Sequence, residues 1–314
     1  MKRIFNSVKS FGEFIRSIGE IAALVLLVNE LYSYFENKSK FAYWSFIGTA
    51  FLFFVAILIN LIIHFQSERY RRNAKIAKML PYVNDAFAEI HTTVANDAAS
   101  AREYLLAFEI FCNNISNAFT EITGHHCHVC IKASIADGDV SAITIAREKT
   151  QPTDLENPTR YSLDEGKEHS YKDNTDFNQI LENIRKNKGK RYFFCNDLTK
   201  YKDYRNSSFQ HYDVPLTGPA PRATIWEKEF WKEKQWNIKW PLRYKSTIVV
   251  AIYPDISRPS STDQIPGFLC VDCEKKNVFI EKDDRYLLAG CANGLFNAVK
   301  NYKAKLKMEM KKNP

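Results

Sequence analysis

The hydrophobic pattern changes character along the chain. Residues 41–65 form a run with no charged residue, FAYWSFIGTAFLFFVAILINLIIHF. At 1.5 Å per helical residue such a run is long enough to cross a hydrocarbon layer of ~30 Å. Tyr43 and Trp44 stand at one end, where amphipathic rings favour an interface. The run begins too late and extends too far for a cleaved signal peptide. Residues 18–35 are also apolar but include Glu20, Asn29 and Glu30. Together the two segments predict a transmembrane hairpin over 1–66, with spans at 18–35 and 41–65.

Lys2, Arg3, Lys9 and Arg16 precede the first segment, and Arg69, Arg71, Arg72, Lys75 and Lys78 follow the second. The short connection holds only Lys38 and Lys40. Basic residues stay on the cytoplasmic side, so the expectation is a multi-pass protein of the inner or cell membrane with both termini cytoplasmic. In the first segment Ile4, Val8, Phe11, Ile15, Ile18, Ala22, Val25, Asn29 and Tyr32 recur at heptad spacing. Asn29 and Glu30 make a polar point on that seam, and polar groups within a membrane are candidates for function.

The heptad alternation resumes further on, at Ile76, Leu80, Val83, Phe87, Ile90, Val94, Asp97, Ala101, Tyr104, Phe108, Phe111, Ile115, Ala118 and Ile122. A seam this long predicts a long packed helix, either a dimer interface or a helix laid across its own domain. The dimer is the favoured reading, with 67–104 as a connecting coiled coil. Gly124 supplies a stop.

Beyond it the period shortens. Strands are expected over 127–135, 140–148, 191–198, 246–254 and 267–273, with a turn at Asp137-Gly138 and a helix over 175–187. A last helix opens on the acidic turn Glu281–Asp284. This is an α+β pattern: an antiparallel sheet with helices on one side.

The segments YKSTIVVAI, GFLCVDC and NVFIEKDDRYLLAGCANGLFNAV resemble the second half of a GAF domain. There a strand ending in Val-Asp leads through an Asn-x-Phe turn to an acidic-capped helix. HSYKDNTDFNQIL, YFFCNDL and YRNSS resemble the small helix and loops that cover a GAF pocket. The resemblance spans roughly 105–305, leaving 306–314 as a basic tail. It implies a sensor that holds a small molecule between sheet and loops. The residues it places there are Asn174, Thr175, Phe177, Asn196, Asp197, Tyr204, Asn206, Ser207, Tyr244, Lys245, Ser246 and Thr247. Lys245 with its neighbouring hydroxyls suits a phosphate or carboxylate. Asn277, Phe279 and Asp283 match the motif of cyclic-nucleotide-binding members only in part. An insertion, 211–241, carries Trp226, Trp231, Trp236 and Trp240.

Charge and chemistry narrow the reading. The net charge is +8, concentrated beside the apolar run and in the tail, with no nucleic-acid-binding signature. Seven cysteines, an odd number, suit reduced thiols better than a disulfide framework. Cys127-x-x-Cys130 and Cys270-x-x-Cys273 have the gap of a zinc pair. On a strand, however, residues three apart face opposite sides, so no metal is expected. No phosphate-binding glycine loop or nucleophile elbow occurs, and no enzyme is expected. The sequence names no cofactor. The expected function is a membrane-anchored sensor, a homodimer or higher oligomer, of an intracellular small molecule, nucleotide-like ligands among the candidates, that signals through the hairpin, in bacterial stress or anti-phage defence. The alternative is a ligand-free scaffold that docks a partner protein.

Overall fold

The computed structural model describes residues 24, 26–29, 31–33, 35–36, 40–134, 141–149, 168–186, 189–201, 204–207, 240, 242, 244–254 and 265–312. They form two compact units, Met1–Ala74 and Lys75–Pro314.

In the first unit residues from Lys40 onward belong to a single helix, α1 (Lys40–Ala95). Within this unit many of its described apolar side chains, among them Phe51, Phe54, Leu58, Leu61 and Ile62, are exposed. Asn29 is helical and exposed, while Glu30 lies outside the described residues. Among the described residues no helix is long and apolar enough to cross a membrane. The expected spans and multi-pass placement with cytoplasmic termini are therefore corrected. A span needs length and apolarity together, and the run 41–65 is only part of α1, which continues through Arg69, Arg71, Arg72, Lys75 and Lys78.

In the second unit α1 stops at Ala95 and α2 (Ala101–Thr123) begins anew. Ser100 makes the break. Its hydroxyl accepts from the Glu103 N–H, and the Glu103 carboxylate accepts from the Ser100 N–H at 2.7 Å. This reciprocal cap satisfies two otherwise orphaned donors. Gly124, at φ 74°, closes α2, a conformation that favours glycine.

Six strands follow: β1 (Cys127–Ser134), β2 (Ser141–Arg147), β3 (Glu168–Ser170), β4 (Tyr192–Cys195), β5 (Ser246–Ile252) and β6 (Gly267–Cys273). All pairings are antiparallel, in the order β3-β2-β1-β6-β5-β4. The first and last hairpin partners of the chain thus meet at the centre. Gly267 sits where a Cβ would come 2.2 Å from the Lys132 carbonyl, so β6 can begin against β1 only without a side chain. Among the described residues two more α-helices belong to the unit, α3 (Thr175–Arg185) and α4 (Glu281–Lys312).

The sheet has helices on both faces, not one. Val129, Ile131, Ile248, Val250, Leu269 and Val271 point to one face, and α2, α4 and the end of α1 cover them with Phe108, Phe111, Ile115, Leu288, Leu295 and Ile90. The heptad seam is largely consumed here: Tyr104, Phe108, Phe111, Ile115, Ala118 and Ile122 are all buried within one chain. Cys130, Val249, Phe268 and Cys270 point to the other face, beneath α3 with Phe177, Ile180, Leu181 and Ile184. Helix α3 has a strong amphipathic pattern, which the sequence shows. The short β3 carries no such signal.

Candidate functional site

The face under α3 mixes apolar and charged residues. Strand alternation places His128, Lys132 and Ser134 of β1 on it, between the outward series Cys127, Val129, Ile131 and Ala133. Across β6, Asp272 stands opposite His128 and Phe268 opposite Lys132. On the far side Arg147 faces Cys130 and Thr144 faces Lys132. His128, Lys132, Arg147, Glu148, Asp176 and Asp272 are all buried. Buried charge on this scale is costly unless paired.

The pairing is partly local. The Glu148 carboxylate takes His128 Nδ1 at 2.6 Å on one oxygen and the Val129 N–H at 2.8 Å on the other. Lys132 donates to the Thr144 hydroxyl at 2.7 Å, and the Thr247 hydroxyl donates to Asp272 at 2.6 Å. Asp176, on the first turn of α3, accepts the Phe177 N–H at 2.9 Å. Burial, with Asp272 nearby, pushes its carboxyl up to about 6, and Lys132 acts in the opposite direction. A carboxyl that titrates near neutrality over a lysine and a second carboxylate is an unusual element in an otherwise apolar layer.

Around this centre lie aromatic rings. Phe177 and Phe268 have centroids 4.7 Å apart, and Tyr171 meets both edge-on at 5.9 and 5.6 Å. Tyr204 lies near Phe193, Tyr201 and Trp240 at 6.0–6.2 Å.

The residues expected from sequence fall into two groups. Asn174, Thr175, Phe177, Tyr204, Asn206, Ser207 and Tyr244 gather at the start of α3. Asn174 donates to the Ser170 carbonyl at 2.6 Å and to the Ser207 hydroxyl at 3.2 Å. The Arg205 N–H donates to the Thr175 hydroxyl at 2.7 Å, and Asn206 donates to the Tyr244 hydroxyl at 3.0 Å. His169 Nδ1 joins Ser207 at 3.0 Å. Trp240 is buried and donates to the Tyr244 carbonyl at 2.8 Å. Trp226, Trp231 and Trp236 lie outside the described residues.

Asn196, Asp197, Lys245 and Ser246 belong to a second group, at the turn that leads into α4. Asn196 donates to the Phe279 carbonyl at 2.7 Å and accepts its N–H at 3.1 Å. Ser246 donates to the Asn196 and Lys275 carbonyls at 2.8 and 2.7 Å. Asp197 meets Lys276 at 3.2 Å and caps a single 3-10 turn, Leu198–Lys200. The Lys245 backbone bridges Leu198 and Cys273. Asn277 carries the positive φ of this turn, 57°, which asparagine tolerates better than most residues. Asp284 accepts the Ile280 N–H at 2.7 Å and starts α4. Thr247 joins the charged centre instead, through Asp272.

Sequence reasoning passed over Lys132, Asp176 and Glu148. Asp272 was noticed only as half of the Val-Asp dipeptide. The available signal was period two: in CHVCIKAS every second residue from His128 is polar or small, and the intervening series is apolar.

No family model and no curated relative matches the chain. Solved structures similar to it include GAF domains. One is the GAF domain of a phosphoenolpyruvate-protein phosphotransferase from Coxiella burnetii, at 10 % identity and TM-score 0.41, covering 73 % of this chain and 97 % of that one. Another is the PixJ GAF domain of Thermosynechococcus elongatus in its blue-light absorbing form, at 12 %, 0.35, 68 % and 95 %. A third is the chromophore-binding domain of a bacteriophytochrome from R. palustris, at 13 % and 0.38. It covers 72 % of this chain, which spans 63 % of that domain's length. Similarity at this level accompanies the α+β layout described above and carries nothing about chemistry.

Proposed function

We propose that the chain is a GAF-like small-molecule sensor whose ligand binds on the α3 face of the sheet, over Lys132, Asp176 and Asp272. The observation that carries the reading is the buried charged centre itself. A layer built only for stability would be apolar there, since replacing buried ion pairs with packed apolar groups is often neutral or stabilising. Lys132 and Arg147 offer cationic groups, Asp176 and Asp272 offer acceptors, and the rings of Tyr171, Phe177 and Tyr204 offer flat apolar walls. That combination suits a ring that carries both an anionic group and hydrogen-bond donors, the class to which nucleotides belong.

The second residue group supplies the output. Asn196 and Ser246 tie the loop after β4, which borders the ligand face, to the turn that sets the start of α4. A ligand that shifts this loop biases α4 through those bonds. The expected use of Asn196 and Asp197 is therefore relay rather than ligand contact.

A thermal-shift panel of nucleotides and small anions on the full chain tests the reading. One compound is expected to raise the melting temperature saturably, and Lys132→Met to abolish that response while the protein remains folded. A flat response across the panel, with wild type and Lys132→Met alike, would reject it.

The aromatic cluster favours a second reading. Phe177, Phe268, Tyr171 and Tyr204 already pack against one another and fill much of this face. If they fill all of it, the domain is a ligand-free scaffold that docks a partner protein.

A further inference from the structure

The two Cys-x-x-Cys segments lie on adjacent antiparallel strands, in a register that sets Cys127 opposite Cys273 and Cys130 opposite Cys270. Residues directly opposite in such a ladder have Cα atoms ~4.5–5.5 Å apart, within the range a disulfide spans. All four are free thiols. The pairs are on opposite faces: Cys127 and Cys273 in the α2–α4 core, Cys130 and Cys270 under α3.

The pairs are not equivalent. The Ser134 N–H donates to the Pro266 carbonyl at 2.9 Å. Counting back from there, Cys130 with Cys270 is a hydrogen-bonded pair. Cys127 with Cys273 is the narrower, non-hydrogen-bonded kind, in which facing side chains lie closest. It is also the terminal pair of this ladder. Cys127 follows the exposed His125 and His126, and Cys273 precedes the exposed Glu274 and Lys275. Both sulfurs are buried in the folded state, but strand ends open at far lower free energy than strand centres, so this pair is the first that local opening exposes.

The two sulfurs differ in their surroundings. The Lys275 N–H donates to Cys273 Sγ at 3.5 Å. The Cys127 thiol lies 3.4 Å from the His125 carbonyl, which accepts from it, and 3.4 Å from the Thr123 hydroxyl. Cys273 is therefore held as an acceptor and Cys127 as a donor. The Cys127 thiol beside it, with the Lys275 N–H, lowers the Cys273 thiol to about 7, and the same contact, with burial, raises Cys127.

We infer that Cys127 and Cys273 form a reversible dithiol–disulfide site, with Cys273 as the attacking sulfur and hydrogen peroxide as the class of oxidant. The Cys273 thiolate attacks one peroxide oxygen; the O–O bond breaks, and hydroxide leaves to become water with the thiol's proton. The Cys127 sulfur then attacks the sulfenic sulfur, the S–O bond breaks, and the Cys127 proton leaves with the hydroxyl as a second water. Two thiols and one peroxide give one disulfide and two waters. Reduction by an external dithiol reverses the result. The bond would staple the α2–β1 corner to the β6–α4 turn, so oxidation would restrict the helix that the ligand reading uses for output.

The test treats the reduced full chain with graded hydrogen peroxide, blocks remaining thiols with N-ethylmaleimide during denaturation, and maps peptides by mass spectrometry. The expected result is a Cys127–Cys273 linked peptide that appears at lower peroxide than any other link and vanishes with dithiothreitol. Cys127→Ser should leave a Cys273 sulfenic acid that dimedone captures, whereas Cys273→Ser should leave Cys127 unoxidised at the same dose. Both thiols fully alkylated after treatment, or Cys130–Cys270 linking first, would overturn the assignment. The wild-type map decides this even if a serine variant fails to fold.

Discussion

At the residue scale the most informative side chain is Asp176. Its folded value of about 6 lies above the ordinary 3.8, and burial is the chief cause. A raised carboxyl binds its proton more tightly when folded. Its contribution to stability is therefore greatest below about pH 4 and is lost as pH rises through about 6. At ~1.4 kcal/mol per unit this is no more than about 3 kcal/mol. Asp176→Asn, a neutral near-isostere, is expected to raise the unfolding free energy at pH 7.5 by about 1–3 kcal/mol and to flatten its pH dependence between 4 and 6, as denaturant titration would show. A variant less stable than wild type at pH 7.5 would mean that the carboxylate is needed in its charged form. Asp176 was legible in the sequence only as a favourable first-turn acid. Its burial comes from the packing of α3 on the sheet, and the charges that act on it, Asp272 and Lys132, are far away in the chain, so no local pattern reports either. Phe177, beside it, was legible only through the resemblance of HSYKDNTDFNQIL to the small helix over a GAF pocket.

At the element scale α4 offers a direct comparison. A Cβ on Gly290 would meet nothing within 4 Å, whereas one on Gly294 would come 2.4 Å from Phe87 Cε1 and 2.6 Å from Cζ. Gly290→Ala should stabilise by up to about 1 kcal/mol through helix propensity. Gly294→Ala, with the same propensity gain, should destabilise by about 1–3 kcal/mol by overpacking. Equal melting shifts for the two would show that the α1–α4 contact yields easily. Asn196→Ala tests the other end of α4. It removes both bonds to the Phe279 backbone and is expected to cost about 1–3 kcal/mol. Hydrogen exchange in the first turns of α4 should accelerate, and ligand binding should persist. Exchange unchanged there would remove the relay. The elements themselves were largely legible: five strands and both late helices lie close to where period and turn residues put them. What failed was local in origin. Strand β3, Glu168–Ser170, is too short to show a period. The continuous seam concealed the break at 96–100, because Ser100 and Glu103 cap a helix without interrupting the heptad.

For the molecule as a whole, the seam that suggested a dimer is buried within one chain at Tyr104, Phe108, Phe111, Ile115, Ala118 and Ile122, whereas Leu80 of the same seam is exposed. The apolar run was read as a membrane span from composition, and among the described residues no helix meets the length and apolarity that a span requires. What remains central is the charged layer under α3, where Lys132 and Asp272 come from neighbouring strands and Asp176 from the helix above. The three are spread along the chain from residue 132 to residue 272, and the β1–β6 register together with the packing of α3 on the sheet brings them together. Native mass spectrometry of the intact, freshly purified chain, beside Lys132→Met, tests that claim most directly. The account predicts a wild-type species heavier than the chain by one bound small anion, and a Lys132→Met species at the bare chain mass with unchanged circular dichroism. Both proteins at bare mass, before and after incubation with the nucleotide panel, would contradict it.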